Sequence, residues 1–130
     1  MRLAVILAGL LLAAPTWAQD IDCDNAMTQS DMNQCASMDY DAADVELNAV
    51  WKDAMATMKE IDSYLDDSEK GAEDALRESQ RSWINYRDKT CEADGYRMKG
   101  GSAEPMLVAG CLASVTRNRT EELRGLVEGY

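Results

Sequence analysis

The sequence predicts an all-α protein built from three long helices. Apolar and small residues recur at steps of three and four along three stretches of the chain, which is the spacing of one helical face. No stretch alternates apolar and polar residues as a half-buried strand does. Two turn sequences, at residues 66–68 and 100–102, separate the three stretches.

The first helix is predicted over residues 28–64. Its start resembles a capping box, in which Thr28 precedes Asp31 by three residues. No glycine or proline interrupts the stretch, so a helix of about 36 residues would be about 54 Å long. The apolar seam of this helix consists of Ala36, Tyr40, Ala43, Leu47, Val50, Ala54, Met58 and Ile61.

The second and third helices are placed by their capping residues. The Asp-Asp-Ser sequence at 66–68 ends the first helix, and Ser68 is predicted to cap a second helix that extends to near Gly95. Ser102 is predicted to cap a third helix that continues almost to Tyr130.

Short connections place consecutive helices antiparallel, which gives a bundle or hairpin arrangement. Gly110 falls inside the third helix, where glycine costs roughly 1 kcal/mol relative to alanine. We therefore expect Gly110 to pack closely against a neighbouring helix.

Residues 1–18 have the pattern of an export signal. Arg2 precedes an apolar run from Leu3 to Ala14, and Ala18 supplies a small residue at which a signal peptidase would cut. The run is shorter than the roughly 20 residues that cross a bilayer, so we expect no membrane anchor. We predict a signal peptide at 1–18 and one helical domain at 19–130, located in the bacterial periplasm or secreted.

Four cysteines follow the predicted cleavage point: Cys23, Cys35, Cys91 and Cys111. An even number in a small exported chain indicates disulfides, because exported compartments are oxidising. In a hairpin of the first two helices, Cys35 lies near the open end, whereas Cys111 lies further along the third helix, so these two should not meet. We predict that Cys23 pairs with Cys35 and Cys91 with Cys111. With no His and no C-x-x-C pair, we expect no metal or other cofactor.

The charge balance narrows the classes of partner. The chain has 13 basic and 24 acidic side chains, a formal net charge of −11, and no His. This excess of carboxylate disfavours nucleic acid and anionic membranes and favours a basic protein partner. The lack of His removes the commonest general base, so we predict a binding protein rather than an enzyme. A glycosidase using paired carboxylates is the enzymatic alternative, and the oligomeric state stays open.

The middle of the first two helices holds the first candidate site. With a hairpin turn near residue 66, Asp44 lies opposite residue 88, and Arg87 is placed for a bidentate bond to Asp44. This set is either a ligand pocket or a polar network that fixes the register of long helices, and we favour the network. Its members are Asp44, Asn48, Trp83, Tyr86, Arg87 and Asp88.

The turn between the first two helices is the second candidate site. Its acidic side chains surround one aromatic residue and one leucine, a combination suited to a cationic cleft. The alternative is an ordinary solvated turn in which Tyr64 and Leu65 close the end of the core. The candidate binding residues are Asp62, Tyr64, Leu65, Asp66, Asp67 and Glu69.

Several short motifs run through the predicted domain in a fixed order. They are Gln34-Cys35, Asp44-x-Glu46-Leu47-Asn48, Trp83-x-x-Tyr86-Arg87-Asp88-x-x-Cys91 and Thr116-x-x-Arg119. Together they resemble the LprI-like lysozyme inhibitor family, a group of small exported bacterial helical proteins with paired cysteines. The resemblance implies binding and inhibition of lysozyme, a basic enzyme that cuts peptidoglycan, and supplies no catalytic residues. A structural or adaptor protein of the envelope without inhibitory activity is the alternative.

Overall fold

The computed structural model describes residues 21–129 and confirms the all-α class. No strand occurs in this range. None of the helices described is long and apolar enough to span a membrane. The predicted signal peptide, residues 1–18, lies outside the described residues. The elements are a 3-10 turn at Cys23–Asn25, α1 at Gln29–Tyr64, α2 at Ala72–Gly95, a second 3-10 turn at Tyr96–Met98, and α3 at Glu104–Glu128.

The start of α1 follows the local sequence signal. Thr28 is the N-cap, and its side-chain oxygen accepts a hydrogen bond from the backbone N–H of Asp31 at 3.1 Å. The helix then continues without interruption for 36 residues. It ends at Tyr64, and the backbone N–H of Leu65 donates to the carbonyl of Asp62.

The start of α2 differs from the prediction, because Ser68 does not cap it. The helix begins at Ala72, and Gly71 precedes it with a φ of 154° that residues with side chains rarely adopt. The carboxylate of Asp62 accepts the backbone N–H groups of Gly71, Ala72 and Glu73 at 2.8, 2.9 and 3.1 Å. A carboxylate at the end of α1 therefore accepts the backbone N–H groups of Gly71 and of the first two residues of α2.

The start of α3 also differs from the prediction, because Ala103 rather than Ser102 is the N-cap and makes no side-chain hydrogen bond there. The carbonyl of Ser102 accepts the side-chain amide of Asn33 at 2.9 Å, which ties this turn to α1. Glu104 fixes the turn from the other side, since it accepts the backbone N–H of Gly100 and the ammonium of Lys99, both at 2.8 Å.

The helices run up, down and up, so α1 and α3 are parallel and α2 is antiparallel to both. Arg117 pairs with Asp39 and Arg124 with Glu46, so the numbering rises in the same direction along α1 and α3. Between α2 and α3 the numbering runs in opposite directions, as the Cys91–Cys111 bond and the Arg119–Gln80 hydrogen bond show. The contact of α1 with α3 is the most extensive in the bundle.

The core is a narrow seam between the three helices. Leu47 and Ala54 of α1, Leu76 of α2 and Leu123 of α3 form one buried cluster. Larger side chains pack around this cluster and remain partly exposed; they are Val50, Trp51, Met55, Met58, Trp83 and Leu126. So thin a core is the situation in which covalent cross-links contribute most to stability.

Both predicted disulfides are confirmed. Cys23 is bonded to Cys35 and Cys91 to Cys111, and no cysteine in residues 21–129 is free. The first bond attaches the N-terminal segment to α1, and the second joins α2 to α3 with Cys91 fully buried. In the loop-entropy account, each bond contributes about 2–4 kcal/mol.

Close packing occurs at Gly95 and not at Gly110, so that expectation is wrong. A Cβ on Gly110 would meet no atom within 4 Å, whereas a Cβ on Gly95 would lie 2.6 Å from Cγ2 of Val108. Gly95 lies one helical turn after Cys91, where the disulfide holds α2 against α3. The close approach of α2 to α3 therefore occurs beside the Cys91–Cys111 disulfide.

Two alanine substitutions should therefore have opposite effects on stability. Gly110→Ala should raise the free energy of unfolding by about 0.5–1 kcal/mol, because it removes backbone freedom in a helix where there is room for a methyl group. Gly95→Ala should lower it by about 1 kcal/mol, because the clash with Val108 exceeds the gain in helix propensity. Urea denaturation of both variants measures the difference, and a destabilised Gly110→Ala variant would contradict the prediction.

Candidate functional site

Arg87 is the centre of the first candidate site, and its principal partner differs from the prediction. Its Nε donates to Oδ1 of Asp88 at 2.8 Å, and its Nη2 lies 2.8 Å from the same oxygen. Asp44 on α1 lies 3.8 Å from Nη1, which is beyond hydrogen-bond distance but within range of charge attraction. The expected bidentate bond to Asp44 is therefore absent, because the guanidinium is hydrogen-bonded to the adjacent Asp88 instead.

Two aromatic rings enclose this guanidinium. Its central carbon lies 5.1 Å from the ring centre of Trp83 and 5.6 Å from that of Tyr40. Burial raises the pKa of Tyr40, and the positive charge of Arg87 opposes this increase. Tyr40 was not in the predicted set, although it lies one turn before Asp44 on the predicted seam of α1.

Tyr86 does not join this arrangement, since it is 59% exposed. Trp83 and Arg87 are one helical turn apart and share a face, whereas Tyr86 lies about 60° around the helix from Trp83. The sequence motif contains both aromatic residues, but helix geometry directs only Trp83 towards α1.

Asn48 completes the network on α1. Its side-chain amide donates to the backbone carbonyl of Asp44 at 2.8 Å and to Oδ2 of Asp44 at 3.0 Å, which fixes that carboxylate. Arg87 is thus near two carboxylates and enclosed by two rings, with only 12% of its side chain exposed. Such an enclosed and neutralised guanidinium has little charge left for a ligand, and we propose that the network fixes helix register.

The second candidate site separates into one inward-facing and several outward-facing groups. Asp62 is occupied by the three N–H groups at the start of α2, and these bonds lower its pKa below the usual value for an aspartate. Tyr64 is 80% exposed, and its hydroxyl donates to Glu60 at 3.3 Å. Asp66, Asp67 and Glu69 are exposed around it, and Leu65 is half-buried. Asp62 therefore supports the turn, while the other groups face solvent.

Most cationic side chains in residues 21–129 are held in salt bridges. Two pairs between α1 and α3, Arg117–Asp39 and Arg124–Glu46, were missed at the sequence level because residue spacing does not show which face of α3 meets α1. The carboxylates left over give the described surface its negative charge. Within the same residues, no group of three or more acidic or cysteine side chains is arranged to hold a metal ion.

Comparison with known proteins gives the family of the chain. Residues 22–123 match the family model described as lysozyme inhibitor LprI. The chain belongs to the LprI lysozyme inhibitor family. An uncharacterized protein of Rhizobium meliloti (strain 1021) is 48% identical over 135 residues, which cover 98% of this chain and 97% of that protein. No solved structure matches the chain. The matched range of this LprI-family chain includes both candidate sites.

Replacing Arg87 by alanine should lower the free energy of unfolding by about 2 kcal/mol, because it removes the group between the two rings. Breaking a buried ion pair typically costs about 3–5 kcal/mol. The loss here should be smaller, because the side chains of Asp44 and Asp88 are 42% and 54% exposed to water. Lys89→Ala is the control, because that side chain is 72% exposed. Equal unfolding free energies for the two variants would show that the rings do not hold Arg87.

Asp62→Asn should lower the melting temperature at neutral pH, because an amide accepts fewer N–H groups than a carboxylate does. The folded-state pKa of Asp62 is lowered, so the cap contributes stability above the unfolded-state pKa of about 4 and loses it as the pH falls through the folded-state value. The difference between wild type and variant should therefore shrink below about pH 4. Asp66→Asn makes the same chemical change on an exposed side chain, and a pH-independent gap between Asp62→Asn and this control would contradict the assignment.

Proposed function

We propose that this protein is an exported acidic inhibitor that binds a basic lysozyme by direct protein–protein contact. The observation that carries the proposal is the match of residues 22–123 to the lysozyme inhibitor family, which spans nearly all of the described helices. The proposed activity is binding, with no bond made or broken by this chain.

The charge distribution supports a cationic partner. The formal net charge is −11, and most cations of the described residues are already paired within the protein. A cationic enzyme would therefore meet a surface of opposite sign, which increases the rate of encounter and makes that rate depend on salt.

The turn between α1 and α2 is the proposed contact surface. It lies beyond Met58 and Leu126, the side chains that pack at this end of the core. Six residues separate Met58 from Tyr64, a rise of about 9 Å along the helix. Tyr64 thus combines an exposed ring with three nearby exposed acids, while the Asp62 cap holds the turn in place. Aromatic side chains in such positions commonly dominate binding energy.

Export is also part of the proposal. A signal peptide at residues 1–18 would deliver the chain to the periplasm or the medium, where lysozyme acts on the cell wall. The two disulfides support an oxidising compartment.

An assay of peptidoglycan hydrolysis separates the proposed function from its alternatives. Purified residues 19–130 are added to a basic lysozyme and a peptidoglycan suspension, and turbidity is followed with time. Slower clearing together with co-elution of the two proteins supports inhibition. Unchanged clearing would favour an envelope protein without inhibitory activity, and clearing without lysozyme would favour a hydrolase.

Substitutions at the turn test the contact surface. Tyr64→Ala should weaken lysozyme binding by more than about 1 kcal/mol without unfolding the protein, whereas Tyr86→Ala, another exposed aromatic position, should not. Neutralising Asp66 and Asp67 together should mainly slow association and reduce its salt dependence.

The matched charge control is neutralisation of Asp41 and Asp53, two exposed acids on α1 that form no salt bridge within the described residues. Surface plasmon resonance at low and high salt gives both rates. Wild-type rates for every turn variant would move the contact to another surface.

A further inference from the structure

A cleft between α1 and α2 adjoins the first candidate site, with which it shares Asn48, and is lined by no residue of α3. Its volume is about 270 Å³, enough for one small chemical group rather than a large ligand. Each helix contributes both polar and apolar side chains to its lining. The lining residues are Asn48, Trp51, Arg77, Gln80, Arg81 and Ile84.

The hydrogen bonds already made by these side chains determine what the cleft can offer. Gln80 accepts the Nε–H of Arg119 through its amide oxygen at 3.0 Å, so its NH₂ group keeps its donors. The NH₂ group of Asn48 donates to Asp44, so the amide oxygen of Asn48 is free to accept a hydrogen bond. Of the two amides that line the cleft, Gln80 therefore has an unused donor group and Asn48 an unused acceptor.

The two arginines differ in what they can bind. Arg77 is held by Glu73 at 3.0 Å and Asp74 at 3.2 Å, so its charge is locally neutralised. Arg81, one turn further along α2, makes no salt bridge or side-chain hydrogen bond within residues 21–129. In a chain whose cations are mostly paired, Arg81 is a cation available at the edge of a cleft.

We propose that this cleft binds the end of a peptide or an N-acyl amino acid through its free carboxylate. The guanidinium of Arg81 and the NH₂ group of Gln80 donate to the carboxylate, a geometry for which arginine is well suited. The amide oxygen of Asn48 accepts the N–H that precedes the carboxylate, and a small side chain packs against Trp51 and Ile84. This chemistry is independent of the acidic surface proposed for lysozyme.

The ligand class follows from the combination of groups rather than from charge alone. Inorganic phosphate has no apolar part for Trp51 and Ile84, and at neutral pH it adds a second negative charge to an acidic protein. A neutral apolar ligand would leave Arg81 and Gln80 without acceptors. A carboxylate next to an N–H and a small apolar group uses all of the lining groups that are available.

The test uses residues 19–130 labelled with ¹⁵N and titrated with N-acetyl-alanine, followed by NMR. The expected result is a saturable shift of the Trp51 indole N–H and of backbone signals from the cleft. N-acetyl-alanine amide, which lacks the carboxylate, should bind at least about tenfold more weakly, as expected for loss of a charge-assisted bond. Inorganic phosphate should produce no saturable shift at these residues.

Two variants complete the experiment. Arg81→Gln should weaken binding of N-acetyl-alanine by about tenfold or more while leaving the rest of the spectrum unchanged. Arg97→Gln removes an equal charge from an exposed site in the 3-10 turn that follows α2 and should bind as wild type does. The proposal is overturned if wild type shows no saturable shift, if the amide binds as well as the acid, or if Arg81→Gln binds as wild type does.

Discussion

The parallel packing of α1 against α3 is the constraint on which the rest of the structure depends. Consecutive helices joined by short turns run antiparallel, so only the third helix can follow α1 in the same direction. The buried residues of both helices are alanine, leucine and threonine, which leave room for close approach. One of them, Thr116, keeps a buried hydroxyl without a partner in the described residues. The side chain of Arg117 crosses the edge of this contact to Asp39.

Paired and unpaired charges have different roles in this protein: the pairs stabilise the fold, and the unpaired carboxylates are available for recognition. Three arginines meet carboxylates of α1, namely Arg87 of α2 and Arg117 and Arg124 of α3, and Arg87 also lies between aromatic rings. Most of the acids that remain are exposed, and two of them, Asp66 and Glu69, lie in the turn after α1, where Asp67 pairs with Lys70. The same excess of carboxylate therefore serves two purposes, since part of it holds the helices together and the rest is available to a cationic partner.

Local signals in the sequence predicted the local features correctly. The Thr28 cap, the uninterrupted α1 and both disulfide pairs follow from spacing and from the oxidising compartment that four cysteines imply. Two of the errors arose where a residue from elsewhere in the chain took the place of the predicted one. Asp62 caps α2 in place of Ser68 from six residues earlier in the chain, and Tyr40 rather than Tyr86 encloses Arg87. Propensity and periodicity contain no information on which side chains from another helix will arrive.

The order of the three helices in the sequence sets which contacts are local and which span a long stretch of chain. Translation releases α1 first, and the buried cluster around Leu47 and Ala54 is complete only when Leu123 has been synthesised. The pairing of Cys91 with Cys111 spans only 20 residues, so it closes a hairpin of α2 and α3 before α1 needs to be in place. Covering the long first helix, by contrast, requires contacts with α3 between residues far apart in the sequence, the kind of contact that slows folding. Apolar helix faces that wait for such contacts are prone to aggregate.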